Sequence, residues 1–459
     1  MCAASSTGSD GGGPRGCVTR GGGNGGSDLW TVRHEIVTAP LLTSAVPDTG
    51  GRRTPPPRPR PRRRRPAAPP ALGAALAAVA LGAAVAAVAL GATGCGGDGD
   101  AGGRRLVVGA VDDVVRSPDP AVAGGRLDEV ADAGLDAVAV TSFWEPGLAA
   151  PGADELAALR TVARAAAERN LRLFVAVYHR GSATTPLTAD ARAAFAAYAA
   201  ALARDLPGLE DVIVGNEPNL NRFWLPQFAP DGTSAAPAAY LALLAETYDA
   251  VKAASGARVW GGATSPRGGD DPAGARPTHS PTRFLQELGA AYRASGRERP
   301  VMDGYVHHPY PETSATPVDL PHPRNATIGL ADYEKLVALL REAFDGTAQA
   351  GAELPLLYGE LGVETIVPPE RASAYTGAEP SRTVQADAQA RAYRRALELA
   401  ACQPTVVGIL FFHVRDEPAL EGWQSGVRYA DGSPKPSLAP VREATTAARA
   451  GELDVRCEQ

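Results

Sequence analysis

Lysine is almost absent from this sequence. Of 45 basic side chains only three are Lys, at 252, 335 and 435. With Ala, Gly and Pro abundant as well, so large a surplus of Arg reads as coding bias, and arginine content alone points to no anionic partner. Cysteine is scarce too, with five in 459 residues. No two of them have a metal-site spacing and no HExxH run occurs, so a zinc site built from His179, His307, His308 and His413 has no motif behind it. No Gly-rich turn follows the first apolar strand, which removes the support for a dinucleotide-binding, doubly wound sheet. There is no internal repeat. Nothing in the chain calls for a metal or an organic cofactor.

What is present is unevenly charged. The whole chain has a net charge of −6, but residues 1–70 carry 11 Arg against four acids. The remaining residues hold 34 basic and 47 acidic side chains. Nucleic acid binding needs a basic face, so an acidic folded part excludes that partner and suits a monomer acting on a neutral polymer.

Residues 1–57 are Gly, Ser, Thr and Pro rich without periodicity, and disorder is expected. Arg58 to Arg65 form a basic cluster with interleaved Pro, so residues 1–70 read as one disordered basic region. Residues 71–93 are an uncharged run of Ala, Leu, Val and Gly, which after a basic flank is the pattern of an export signal. The run is also long enough for an uncleaved membrane anchor. It ends Gly91-Ala92-Thr93-Gly94-Cys95, which resembles the lipobox of bacterial lipoproteins. Segment 71–95 therefore predicts export with Cys95 lipidated at the cell surface, the alternatives being a helix anchor or plain secretion. Residues 96–104 form a flexible linker. Cys402 and Cys457 are the two cysteines of the folded part, and in an exported protein they are expected to pair and tie the 451–459 tail to a helix end.

From residue 105 to 450 short apolar runs alternate with Ala-rich helical patterns, the signature of βα units. Strands are predicted at 106–111, 137–141, 171–178, 212–215, 258–262, 301–306, 355–358 and 406–412. Helices fall near 123–133, 152–169, 189–205, 236–254, 281–295, 330–345, 383–401 and 437–449. The fold class is α/β, a (β/α)8 TIM barrel with extended βα loops.

The functional site of such a barrel lies at the C-terminal strand ends. Those ends supply Asp112 and Asp113; Ser142, Phe143, Trp144 and Glu145; Tyr178, His179 and Arg180; Asn216, Glu217 and Asn219; Thr264 and Ser265; His307, His308 and Tyr310; Glu360; and His413, Arg415 and Asp416. Four of the seven His fall among them. Two carboxyl groups that converge across the mouth could protonate a glycosidic oxygen and meet the anomeric carbon, and Glu217 with Glu360 is the pair whose strand positions allow it. One of Asp112 and Asp113 is expected to cap a turn, and Glu145 and Glu364 to be solvated. Alternation along the sixth strand puts His308 and Tyr310 on one face, so His308 rather than His307 is expected inward. His179, Trp144, Phe223, Trp224 and Trp423 are the other candidates to contact substrate, whereas Trp260 lies within a strand and reads as core.

Gly215-Asn216-Glu217-Pro218-Asn219-Leu220, followed by Phe223-Trp224, resembles the fourth-strand acid/base signature of clan A glycoside hydrolases, in family 39-like and family 5-like form. Val259-Trp260-Gly261-Gly262, Asp303-Gly304 through His308-Pro309-Tyr310, Tyr358-Gly359-Glu360-Leu361-Gly362 and Trp423 through Gly432-Ser433-Pro434-Lys435-Pro436 are similar to later segments of the same clan, in the same order. The resemblance implies a retaining enzyme that cleaves an oligo- or polysaccharide, with Glu217 as acid/base, Glu360 as nucleophile and Asn216 on the substrate 2-hydroxyl. A non-catalytic glycan-binding barrel and a transglycosylase are the alternatives. The eighth strand ends Phe411-Phe412-His413 where this clan often has a Trp, and Arg180 and Arg415 both compete for the role of basic rim residue.

Overall fold

The structure is a computed structural model and describes residues 104–455 and 457. The expectations for residues 1–57, the Arg58–Arg65 cluster, the 71–93 run and Cys95 lie outside the described residues. Among the described residues no helix is long and apolar enough to cross a membrane.

Eight strands pair in parallel and close into a barrel in sequence order. They are β1 (Val107–Val111), β2 (Ala137–Trp144), β3 (Arg172–His179), β4 (Asp211–Val214), β5 (Arg258–Thr264), β6 (Gly304–His307), β7 (Leu356–Leu361) and β8 (Val406–Phe412). A helix follows each strand: α1 (Pro120–Asp132), α2 (Ala153–Glu168), α3 (Ala189–Asp205), α4 (Ala236–Ala254), α5 (Pro281–Ala294), α6 (Tyr333–Phe344), α7 (Ala386–Ala401) and α8 (Leu438–Ala450). This is the expected (β/α)8 barrel. Helix starts use the local chemistry of the chain. Asp119 caps α1 through Ala121 N–H, with Pro120 in the first turn. Ser280 does the same for α5 through Arg283 N–H, ahead of Pro281. In both, a side-chain oxygen takes an N–H that the helix leaves without a partner.

Every residue of β4, β6 and β7 is buried, as strands covered on both faces must be. One face fills the barrel interior with Ala137, Ala139, Phe174, Ile213, Trp260, Ala263, Val306, Leu357 and Leu410. The other face packs under the helices. At the N-terminal floor Asp211 is fully buried. It accepts from Arg172 (2.7 Å), Arg258 (2.9 Å) and the Trp260 indole (2.8 Å). Three donors from neighbouring strands make this carboxylate a rivet for the bottom of the barrel, away from the functional rim.

A disulfide joins Cys402, which caps the end of α7, to Cys457, with the Cα atoms 5.2 Å apart. It closes a loop spanning 55 positions. Restricting the unfolded chain over such a loop contributes roughly 3–5 kcal/mol in the loop-entropy view. Cys457→Ser should therefore lower unfolding free energy by an amount in that range, measured by denaturant titration without reductant. Equal midpoints for variant and wild type would show that the bond does not tie the fold together.

Candidate active site

β4 ends at Val214, and two left-handed residues then turn the chain into the mouth: Gly215 at φ 81° and Glu217 at φ 38°. A left-handed glutamate is uncommon, and such residues persist where surrounding bonds over-determine them. Here Gly215 N–H donates to Val177 O (2.8 Å) and Glu217 N–H to Ala263 O (2.8 Å), pinning the turn to both neighbouring strands. The Glu217 side chain is wholly buried, and its Oε1 lies 3.3 Å from His308 Nδ1.

Glu360 reaches the same place by another device. On β7, Leu357 points into the barrel and Tyr358 outward, where its hydroxyl donates to Gln403. Strict alternation would send Glu360 outward as well. The register between β7 and β8 slips between Tyr358 and Leu361, and this irregularity re-aims the side chain. Glu360 then lines a small cavity at the inner mouth with Asn216, Tyr178, His308 and Gly359. Its Oε2 accepts from the Tyr310 hydroxyl at 3.0 Å and lies 3.8 Å from His308 Nδ1. Gly359 must be glycine: a Cβ there would stand 2.4 Å from Val306 and 3.1 Å from the His308 ring.

The two carboxylates therefore share one imidazole nitrogen. Burial pushes the Glu360 carboxyl above its ordinary value of 4.5 and the nearby Glu217 adds to this, while His308, the Tyr310 hydroxyl and His413 pull it down. Burial lowers His308, with Glu360 opposing. Tyr310 is raised far above 10 by burial and by both acids, so it stays a protonated donor. At the neighbouring strand end His413 Nδ1 lies 2.8 Å from Val111 O and its Nε2 3.7 Å from Glu417. Burial works against the charge on His413, but Glu417 and Asp112 outweigh it and bring the imidazole up to about 9.

Of the paired histidines, His308 faces the carboxylates. His307 points outward, with Nδ1 at 2.9 Å from Thr264 Oγ1 and Nε2 at 2.8 Å from Ile328 O. His179 is a correction: Phe174, Ala176 and Tyr178 take the inward parity of β3, so His179 turns away, bonds Gly181 O and packs edge-on against Trp224. Trp144 and Trp224 are corrections of the same kind. β2 runs three residues past its expected end, which puts Trp144 on the outer face, packed on Phe195 with its indole donating to Leu148 O. Trp224 belongs to a turn that folds back onto Leu220 O, and its ring lies against Tyr240 in the outer core. Both rings are 1 % exposed and neither floors the mouth.

Trp423 does reach the site, from the loop after β8. Its ring stands 5.2 Å from Tyr310 and 5.3 Å from Phe412, so Phe412 and a loop tryptophan together stand where a strand-end Trp was missing. Trp260 is core, as expected. Asp112 is the turn cap, through Val114 N–H. Asp113 accepts from Thr141 N–H, and Glu145 pairs with Arg180 at the exposed rim. Glu364 is not solvated: it is buried, and Ser381 donates to its carboxylate. Arg415 leaves the mouth to pair with Glu129 of α1, so Arg180 alone of those two stays at the rim.

Tyr178 and Phe143 were read at the strand ends but not chosen as substrate contacts, and Arg267 was not singled out at all. Tyr178 and Phe143 hold the inward positions beside the expected His179 and Trp144, and strand parity could have found them. Arg267 donates to Tyr310 O (2.9 Å) and Pro311 O (3.2 Å), holding the turn that presents His308 and Tyr310. Burial lowers it to about 10, with Glu312 and Glu217 opposing. Among so many arginines no signal marked it. Among the described residues no group of three or more His, Cys, Asp or Glu is arranged to hold a metal ion.

No family model matches the sequence and no curated protein matches it. By structure the chain is similar to GH5_18 from Streptomyces cattleya in complex with GlcNAc, at 18% identity and TM-score 0.51 over 76% of this chain and 81% of that one. A variant of the Streptomyces cattleya GH5_18 in complex with Manβ1-4GlcNAc aligns at 18% identity and TM-score 0.51, covering 77% and 83% of the two chains. The exo-beta-1,4-mannosidase Op5Man5 from Opitutaceae bacterium strain TAV5 aligns at 18% identity and TM-score 0.48 over 77% of this chain, which spans 62% of that protein's length. At such identities what the chain shares with the Streptomyces cattleya protein is its fold, a closed eight-stranded (β/α) barrel.

Proposed function

We propose that this chain is a retaining glycoside hydrolase acting on an oligo- or polysaccharide. One observation carries the reading: Glu217 and Glu360 converge on a single nitrogen, 3.3 and 3.8 Å from His308 Nδ1. Those two distances laid end to end bound the gap between the oxygens. The separation of about 5–5.5 Å that suits a glycosyl-enzyme mechanism fits within that bound.

In the proposed reaction a Glu360 oxygen attacks the anomeric carbon while Glu217 gives its proton to the departing glycosidic oxygen. The aglycone leaves, and the sugar stays bound to Glu360 as an ester. Glu217, now ionised, takes a proton from water, and the hydroxide oxygen displaces Glu360 from the anomeric carbon. Two inversions return the starting configuration. Tyr310 steadies the attacking carboxylate, His308 spans the pair, Asn216 reaches the substrate 2-hydroxyl and Trp423 supports a sugar face. Export is part of the proposal. The Cys402–Cys457 bond belongs to an oxidising compartment, and the apolar run ending at Cys95 provides the route, with Cys95 as the lipidated residue.

Glu217→Gln should lose about 10²–10⁴-fold in rate, the usual worth of a proton donor. The loss should be smallest for dinitrophenyl glycosides, whose leaving groups need little protonation. Glu360→Gln should be inactive on every aryl glycoside tested, of either anomeric configuration. NMR of the first product formed by the wild type should show the anomer of the substrate. The opposite anomer, or near-normal rates in either variant, would refute the assignment.

Attack requires ionised Glu360, a form present above its pKa and lost as the pH falls. Because that pKa is raised, the acid limb of kcat/KM should lie above 4.5. Tyr310→Phe removes the hydroxyl that favours the anion, so the limb should move to still higher pH. A limb that stays in place or moves down would contradict the role given to Tyr310. Intact-mass measurement of the membrane-extracted protein should find acyl chains on Cys95; an unmodified Cys95 would overturn the lipidation.

A further inference from the structure

Lys435 and Asp416 form an ion pair with neither side chain exposed, Nζ to Oδ1 2.7 Å. The ammonium is saturated. It donates to Thr365 Oγ1 (2.7 Å), Asp416 Oδ1 (2.7 Å) and Gln424 O (2.9 Å). Asp416 is equally occupied: its Oδ1 also accepts from Gly426 N–H (3.0 Å) and its Oδ2 from the Tyr375 hydroxyl (2.7 Å).

The partners belong to two loops. Thr365 and Tyr375 lie between β7, which carries Glu360, and α7. Asp416, Gln424 and Gly426 lie between β8 and α8, in the loop that carries Trp423. Thr365 N–H reinforces the seam by donating to Gln424 O at 3.0 Å. The backbone N–H of Trp423 donates to the Glu417 carboxylate at 2.8 Å. The backbone of Trp423 is thus held on both sides: the next residue, Gln424, accepts from Lys435, and Glu417, six residues earlier in the same loop, accepts from Trp423 itself.

Stability does not explain the pair. Taking two charges out of water costs about as much as their attraction returns, and apolar replacements of similar size are often neutral or stabilising. Geometry does explain it. An ammonium offers three donors in tetrahedral directions, and here three acceptors from two loops meet it; a planar guanidinium cannot match that arrangement. We propose that Lys435 and Asp416 are positioning residues that set the place of Trp423 relative to Glu360 and so define a sugar subsite. The subsite clause rests on the glycosidase reading above; the positioning clause does not.

The test uses the full chain. In Lys435→Met combined with Asp416→Leu the unfolding midpoint should hold or rise. Acrylamide quenching of the Trp423 component, isolated by subtracting a Trp423→Phe background, should increase. On the 4-nitrophenyl glycoside that the wild type cleaves, kcat/KM should fall by up to about tenfold, the worth of one aromatic contact. Lys335→Met serves as control. That ammonium also meets three carbonyls, of His322, Asn325 and Thr327, far along the chain from Trp423, and its loss should leave the quenching unchanged. Tyr375→Phe, which removes one bond to Asp416, should shift the quenching in the same direction by less and decides the matter if the double variant does not fold. Unchanged quenching in the folded double variant, or in Tyr375→Phe in its place, overturns the proposal. Should the wild type cleave no glycoside, the glycosidase reading fails and the quenching still decides whether the pair positions Trp423.

Discussion

The sheet closes where β8 lies along β1, from Val107 beside Gly408 to Val111 beside Phe412. Closure gives every strand an inside and an outside and leaves no edge, so side-chain direction is set by parity. Everything at the mouth follows from that constraint or from a local departure from it. His308 and Tyr310 arrive by parity. Glu217 arrives by two left-handed residues after β4, and Glu360 by the register slip in β7. Small residues make the room. Ala139, Ala176 and Ala263 line the inner mouth from inward-facing positions, and larger side chains there would crowd the space in which the carboxylates meet.

Two acids in one buried site repel, so their protons belong to the pair rather than to either residue. The surroundings are nevertheless unequal. Glu360 receives a hydroxyl donor from Tyr310, and the cationic His413 favours its anion. Glu217 has the imidazole of His308 at its Oε1. An acid that is steadied as an anion and another that sits against a weakly basic ring suit the roles of nucleophile and proton carrier that the proposal gives them. His308, held below its ordinary value by burial, can bond either partner without bringing a fixed positive charge that would lock both acids in the ionised state.

The barrel was legible because eight apolar runs separated by Ala-rich helical stretches admit few other folds. Asn216-Glu217 was legible because a polar pair after a fully buried strand has little structural purpose. Most of the errors concern direction. β2 was expected to stop at 141 but continues to Trp144, and three added residues decide which of Phe143 and Trp144 faces inward. His179 failed for the same reason on β3. Trp224 failed because a turn bonded to Leu220 O swings the ring back under α4, and no local signal announces a turn of that kind. Glu364 was expected in water, yet loops long enough to fold over the rim bury polar groups that a short loop would leave exposed. Motif position was thus readable at the strand ends, whereas orientation required the register of the closed sheet.

The scarcity of lysine gains meaning once the structure is known. In a composition that favours Arg so strongly, a lysine marks a place where the fork of a guanidinium does not fit. Lys252 donates to Ala257 O and Asp303. Lys335 gathers three carbonyls of one loop, and Lys435 gathers an alcohol, a carboxylate and a carbonyl from two loops. In each case the ammonium acts as a compact knot that gathers oxygens from separate residues, a task that suits a tetrahedral point charge on a flexible stem. Only Lys435 is wholly buried, and only its knot lies beside the aromatic ring at the mouth. The residue type that composition made rare is therefore used for holding loops, and at one of its three positions the loop held is the one that completes the candidate site.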